Sequence, residues 1–212
     1  MLCEPEAPKL LSLDTVDGLE ERQVMELVNN YVNTYTFIPD KVDEWYTLPE
    51  FLKRGGGDCE DFAIAKYTML VALGVSKDNL KMTYGFNIPQ KEKHMVLIYT
   101  DKNIDESLIL DSINKSIVPL NNPDFLAYLF FDDTSMYLVD KTTGGFKRVS
   151  GIYHLPKWSE VLQTVLNTND KEGSLCQTYS RSENLLVTKA YTYTNTIEVS
   201  SLKTYGTLTL AY

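Results

Sequence analysis

Apolar positions recur along this chain with two periods, and each change of period marks where an element begins or ends. Over residues 14–34, Leu19, Val24, Leu27, Val28, Tyr31 and Val32 fall at helical spacing, which predicts an amphipathic helix starting near Asp17. Residues 36–50 read as a loop, with Pro39 and Pro49 bracketing Asp43-Glu44-Trp45. A short helix over Pro49–Lys53 follows, because proline is tolerated in a first turn. Gly55-Gly56-Gly57 makes a turn, and Phe62 to Leu73 predicts a second amphipathic helix stopped by Gly74. The period then shortens to two. Leu80, Met82, Tyr84 and Phe86 alternate with Lys81, Thr83 and Gly85, which predicts a strand over Leu80–Asn87. The polar turn Gln90-Lys91-Glu92-Lys93 leads into a second strand, His94 to Tyr99. Asp101-Lys102-Asn103 leads into a third, Leu108 to Asp111. Ser135–Val139 and Phe146–Val149 flank Thr142-Thr143-Gly144-Gly145 as a hairpin, and residues 157–167 carry Trp158, Val161, Leu162 and Val165 as a short helix.

From about Lys171 the pattern changes. The stretch Asn184–Tyr212 is crowded with threonine and tyrosine and alternates through Tyr191-Thr192-Tyr193-Thr194 and Thr207-Leu208-Thr209-Leu210. That is strong strand preference with few large aliphatics. We therefore divide the chain into a domain over 1–170 and a β-rich extension over 171–212. The extension either adds strands to the main sheet or is an arm that pairs with another chain in an assembly.

Bulk properties narrow the function. The chain has 212 residues, 43% hydrophobic and 23% charged, as expected of a folded globular protein with one sizeable core. Its net charge of -9 argues against nucleic acid or an anionic membrane surface as a partner. No run reaches the roughly 18 apolar residues of a membrane span. Met1-Leu2-Cys3-Glu4-Pro5-Glu6 lacks the basic and apolar regions of a secretion signal, so a cytoplasmic or virion-associated location is expected over a periplasmic one. Cys3, Cys59 and Cys176 form no zinc pattern or disulfide framework.

Of these thiols, Cys59 stands where chemistry is expected. Asp58 can cap the second helix, placing Cys59 in its first turn, where unpaired backbone N–H groups favour thiolate. His94 opens one strand and Asp111 closes another, so nucleophile, base and orienter stand on three successive elements. Taken singly, each residue has an ordinary structural explanation, and their joint placement is what points to catalysis. Asp58, Glu60 and Asp61 complicate it, because carboxylates beside a thiol disfavour its anion. They are either partners of the helix dipole or ligands of a hard cation such as calcium, with at most two acting together.

The runs Asp43-Glu44-Trp45-Tyr46-Thr47-Leu48-Pro49-Glu50-Phe51-Leu52 and Gly57-Asp58-Cys59-Glu60-Asp61-Phe62-Ala63-Ile64-Ala65-Lys66-Tyr67, followed by Leu73-Gly74-Val75, His94-Met95-Val96-Leu97 and Leu110-Asp111, resemble the bacterial transglutaminase-like cysteine proteinases, including their LapG-type branch. The resemblance spans roughly residues 24–118. It implies a papain-like, transglutaminase-type α+β fold, with the cysteine helix packed on an antiparallel sheet. It also implies Cys59, His94 and Asp111 as catalytic triad, Trp45 as a wall of the cleft, and calcium at Asp58 and Glu60, with Asp61 a weaker ligand. Ser112 stands where the family often has asparagine, and Leu80-Lys81 where it has Leu-Arg. A member without a leader suggests a bacterial virus as source. The expected activity is a thiol peptidase acting on a protein. The alternatives are acyl transfer to an amine, as in a transglutaminase, and a non-enzymatic structural component of a larger assembly.

Overall fold

The computed structural model describes residues 16–101, 106–139, 146–151 and 155–167. Cys3, Cys176, His154, the Thr142–Gly145 turn and the extension over 171–212 lie outside them, so what was expected of those segments is left as expectation.

Helix α1 (Glu21–Val32) starts later than its apolar spacing suggests. Gly18 takes a left-handed φ of 75, which breaks the chain just upstream. Glu20 then becomes the N-cap, its N–H donating to the Gln23 side chain at 2.9 Å. Strand β1 (Thr36–Phe37) follows, then helix α2 (Leu48–Arg54), which is stopped by Gly55 at φ 77.

The glycine run is more than a turn. Gly56–Gly57 form strand β2, paired parallel with β1 as Thr36↔Gly56 and Phe37↔Gly57. A Cβ on Gly56 would stand 1.8 Å from the Thr36 carbonyl oxygen, so only glycine permits this approach.

Helix α3 (Cys59–Ala72) corrects the amphipathic expectation. Its residues from Glu60 to Ala72 are buried except Thr68, because α1 and α2 cover the sides that the sheet does not. Its Phe62, Ile64, Leu70 and Val71 join Val28, Phe51, Leu80, Met82, Leu97 and Leu110 in the main core.

After a 3₁₀ turn at Lys77–Asn79, the chain builds a seven-stranded antiparallel sheet. Its strands are β3 (Leu80–Asn87), β4 (Glu92–Asp101), β5 (Glu106–Leu110), β6 (Val118–Pro119), β7 (Phe125–Phe131), β8 (Ser135–Val139) and β9 (Phe146–Gly151). The spatial order is β6-β5-β4-β3-β7-β8-β9. Strand alternation divides β4 between two cores: Met95, Leu97 and Tyr99 join the helices, while Val96 and Ile98 pack with Ile109, Phe125 and Phe130. β7 reads Phe-Leu-Ala-Tyr-Leu-Phe-Phe, apolar throughout, and shows no period of two from which to assign it. Helix α4 (Pro156–Asn167) closes the described fold, with Trp158 buried and donating its indole N–H to the Asp132 carbonyl at 2.9 Å.

Candidate active site

The turn before α3 is held by one buried carboxylate. Asp61, fully buried, accepts the Tyr46 N–H at 2.7 Å and the Asp58 N–H at 3.2 Å, closing a capping box with Asp58. Arg54 stands 4.0 Å from it and lies over the Tyr46 ring. Gly57 is required beside it, since a Cβ there would sit 2.2 Å from Asp61 Oδ2. This fixed turn puts Cys59 at the first helical position, partly exposed.

The thiol donates to Glu60 Oε2 at 3.1 Å, and the Met95 backbone lies against it. The sulfur is thus one residue along β4 from His94, although its hydrogen bond goes to Glu60 rather than to the imidazole. Burial, then the charge of Glu60 and the bond to it, push the thiol well above its ordinary range, against the Met95 bond that lowers it. The repulsion expected from neighbouring carboxylates is therefore present at this sulfur.

His94 and Asp111 meet directly. The buried imidazole shares its Nε2 with Asp111 Oδ1 at 2.6 Å, which leaves Nδ1 as the nitrogen free for another proton partner. Asp111 is the first residue past β5, and the Ile113 N–H also donates to its Oδ1, at 2.9 Å. Burial alone would raise this carboxyl. The His94 bond and charge, the Ile113 bond and the Lys66 charge outweigh it and hold Asp111 below 3.8. Behind the ring, Phe125 stands edge-on at 6.3 Å between centroids, lying across Gly85, the residue opposite His94 in β3.

Three carboxylates converge beside the sulfur: Asp58 and Glu60, with Asp40 rather than Asp61 as the third. One oxygen each of Asp40, Asp58 and Glu60 lies within 4.8 Å of the others. Among the described residues, Asp58 Oδ1 is buried without a hydrogen-bond partner. Burial, then the Glu60 charge, raises the Asp58 carboxyl to about 8, and burial likewise raises Glu60. Asp61 lies outside the cluster because the turn's backbone amides occupy it. Asp40 takes its place: the Ile38 N–H donates to the Gly57 carbonyl at 2.8 Å, and that pairing carries Asp40 to Asp58. An oxygen-rich, half-buried, donor-poor cluster of this kind suits a hard divalent cation.

Trp45 is half-buried, stacked on Phe131 with 6.2 Å between centroids, and donates to Asp43 Oδ1 at 3.2 Å. Lys157, from α4, pairs with the same carboxylate and keeps it below its ordinary range.

A helix with a cysteine in its first turn, laid on an antiparallel sheet that presents a histidine–aspartate pair, is the transglutaminase-type α+β arrangement of thiol hydrolases. The family model described as "bacterial transglutaminase-like cysteine proteinase BTLCP" matches residues 5–135, and the chain belongs to that family. Solved structures of Legionella pneumophila LapG are similar. The calcium-bound form is 33% identical with a TM-score of 0.63, covering 72% of this chain and 84% of that one. The EGTA-treated form is 32% identical with a TM-score of 0.63, covering 72% and 83%. A comparison with curated proteins gives no significant match. Among the described residues, no helix is long and apolar enough to cross a membrane.

Proposed function

We infer that this cysteine peptidase cleaves a peptide bond of a protein substrate through Cys59, His94 and Asp111. The observation that carries the reading is the 2.6 Å His94–Asp111 bond, with the backbone of the next residue, Met95, against the Cys59 sulfur, in a member of a cysteine proteinase family. The Cys59 proton passes to His94 Nδ1 as the sulfur attacks the scissile carbonyl carbon. The oxyanion is met by the Cys59 backbone N–H, which has no acceptor within its own helix at that position. Collapse expels the amine, which takes the proton back from the imidazolium, and water then hydrolyses the thioester. Asp111 keeps the ring in the tautomer this requires and stabilises the imidazolium.

Asp40, Asp58 and Glu60 are the residues that would hold calcium. The bound ion would offset the Glu60 charge, which after burial helps to keep the thiol protonated. The calcium-bound LapG structure supports this reading by similarity, and the Asp58 oxygen that has no partner among the described residues supports it from this chain.

The test is digestion of a peptide library with products read by mass spectrometry. The unaltered protein with calcium should give defined cuts. Cys59→Ala, folded by circular dichroism, should give none, and equal cleavage by the variant would refute the assignment. A labelled primary amine in the same mixture separates hydrolysis, which leaves it free, from acyl transfer.

A further inference from the structure

The helix that carries Cys59 also carries a fully buried lysine, about two turns further on, that the proposed chemistry does not use. Lys66 Nζ donates to the backbone carbonyl of Asp111 at 2.8 Å. The same carbonyl receives Asn33 Nδ2 at 2.9 Å, and Lys115 in turn donates to the Asn33 carbonyl at 2.9 Å. Residues 59 and 66 fall on one face of an α-helix, with Ala63 between them, small enough to let that face lie close against the sheet. An ammonium buried away from water is costly, and Lys66 makes no ion pair within 4.0 Å among the described residues. Its charge nevertheless reaches Asp111 and helps hold that carboxyl ionised. Burial lowers Lys66 itself to about 7. A methionine or leucine would fill the same space at less cost, so the tether is what the lysine adds.

We propose that Lys66, with Asn33, is a positioning residue: the two side chains clamp the Asp111 backbone so that its carboxylate meets His94 Nε2, and Lys66 fastens that clamp to the helix that presents Cys59. The loop after β5 has no strand partner to hold it at Asp111, since β5 ends at Leu110. The two donors to the carbonyl replace that lost register, and the Ile113 amide orients the carboxylate. This deepens the peptidase reading and rests on it for its purpose, though not for its geometry.

The chain has two histidines, so ¹⁵N-histidine labelling with a His94→Gln control isolates the His94 ring. The unaltered protein should show the strongly downfield proton of a short Nε2–H···Oδ1 bond. In Lys66→Met that resonance should be lost, and alkylation of Cys59 by iodoacetamide, followed by mass spectrometry of the Cys59 peptide, should slow by about tenfold or more. The surface change Lys53→Met should alter neither. If Lys66→Met does not fold, Asn33→Ala removes the other donor to the same carbonyl and should weaken the resonance alone. An unchanged His94 resonance in a folded Lys66→Met, or in Asn33→Ala where that is the variant that folds, overturns the proposal. A protein that shows the resonance and its loss but cleaves no peptide would instead refute the peptidase reading and leave the clamp standing.

Discussion

Gly57 shows how little freedom a single residue has at this site. Its neighbour Asp61 is pinned by the Tyr46 and Asp58 amides, so a methyl group at residue 57 has nowhere to push it. Gly57→Ala should cost about 1–3 kcal/mol in denaturant unfolding, as overpacking does. Asp111 makes a prediction in pH. Its carboxyl lies below 3.8 in the folded protein, so its contribution to stability is complete above that value and is lost as pH falls through the lower, folded one. In Asp111→Asn the acid limb of a melting-temperature profile should therefore be flatter than in the unaltered protein. Cys59, His94 and Asp111 could be singled out in the sequence because each stands at the end of a periodic segment. Asp40 could not, because nothing in residues 36–40 announces that two residues of parallel pairing will carry it to Asp58. Nor could the role of Asp61, an acidic side chain in a first turn like many others, whose shorter accepted bond comes from Tyr46 in the preceding loop, before α2.

At the level of elements, β3 is the best test of how the sheet serves the site. Gly85 lies between His94 on β4 and Ala127 on β7, where β7 slips register against Tyr84/Gly85. A Cβ at Gly85 would meet the Phe125 ring at 2.6 Å and the Leu126 carbonyl at 2.5 Å. Gly85→Ala should therefore displace Phe125 from the His94 ring and lower the melting temperature. A lost ring-current shift on His94 in NMR would show the displacement. The strand itself was legible, since Leu80–Asn87 alternates over its whole observed length. The need for glycine was not, because it arises from β7, whose uniformly apolar sequence hides its pairing. α3 erred in the other direction. Its ends are marked by Asp58 and Gly74, but its sides are covered by α1, α2 and the sheet together, so no polar face survives.

For the molecule as a whole, the concentration of acid is the dominant electrostatic fact. The chain carries -9 overall, and Asp40, Asp58 and Glu60 gather part of that charge in a half-buried cluster. A cation that binds only the folded state stabilises it by mass action. Added calcium should raise the melting temperature by several degrees and EGTA should reverse it, with Asp40→Asn or Glu60→Gln reducing the gain. Equal melting in calcium and EGTA would make the cluster a partner of the helix dipole alone. The α+β class reached through the motif blocks stands, since those blocks are the segments around which the helices and the sheet are built.

The parallel pairing of Thr36–Phe37 with Gly56–Gly57 has one more consequence. It knots residues 38–55 into an excursion whose two ends meet at the nucleophile's doorstep. That excursion is bound into the molecule along its length, since Tyr46 donates to Asp61 under the sulfur and Phe51 packs edge-on against Phe62 of α3. Replacing it would therefore disturb the seat of the nucleophile as well as the walls around it.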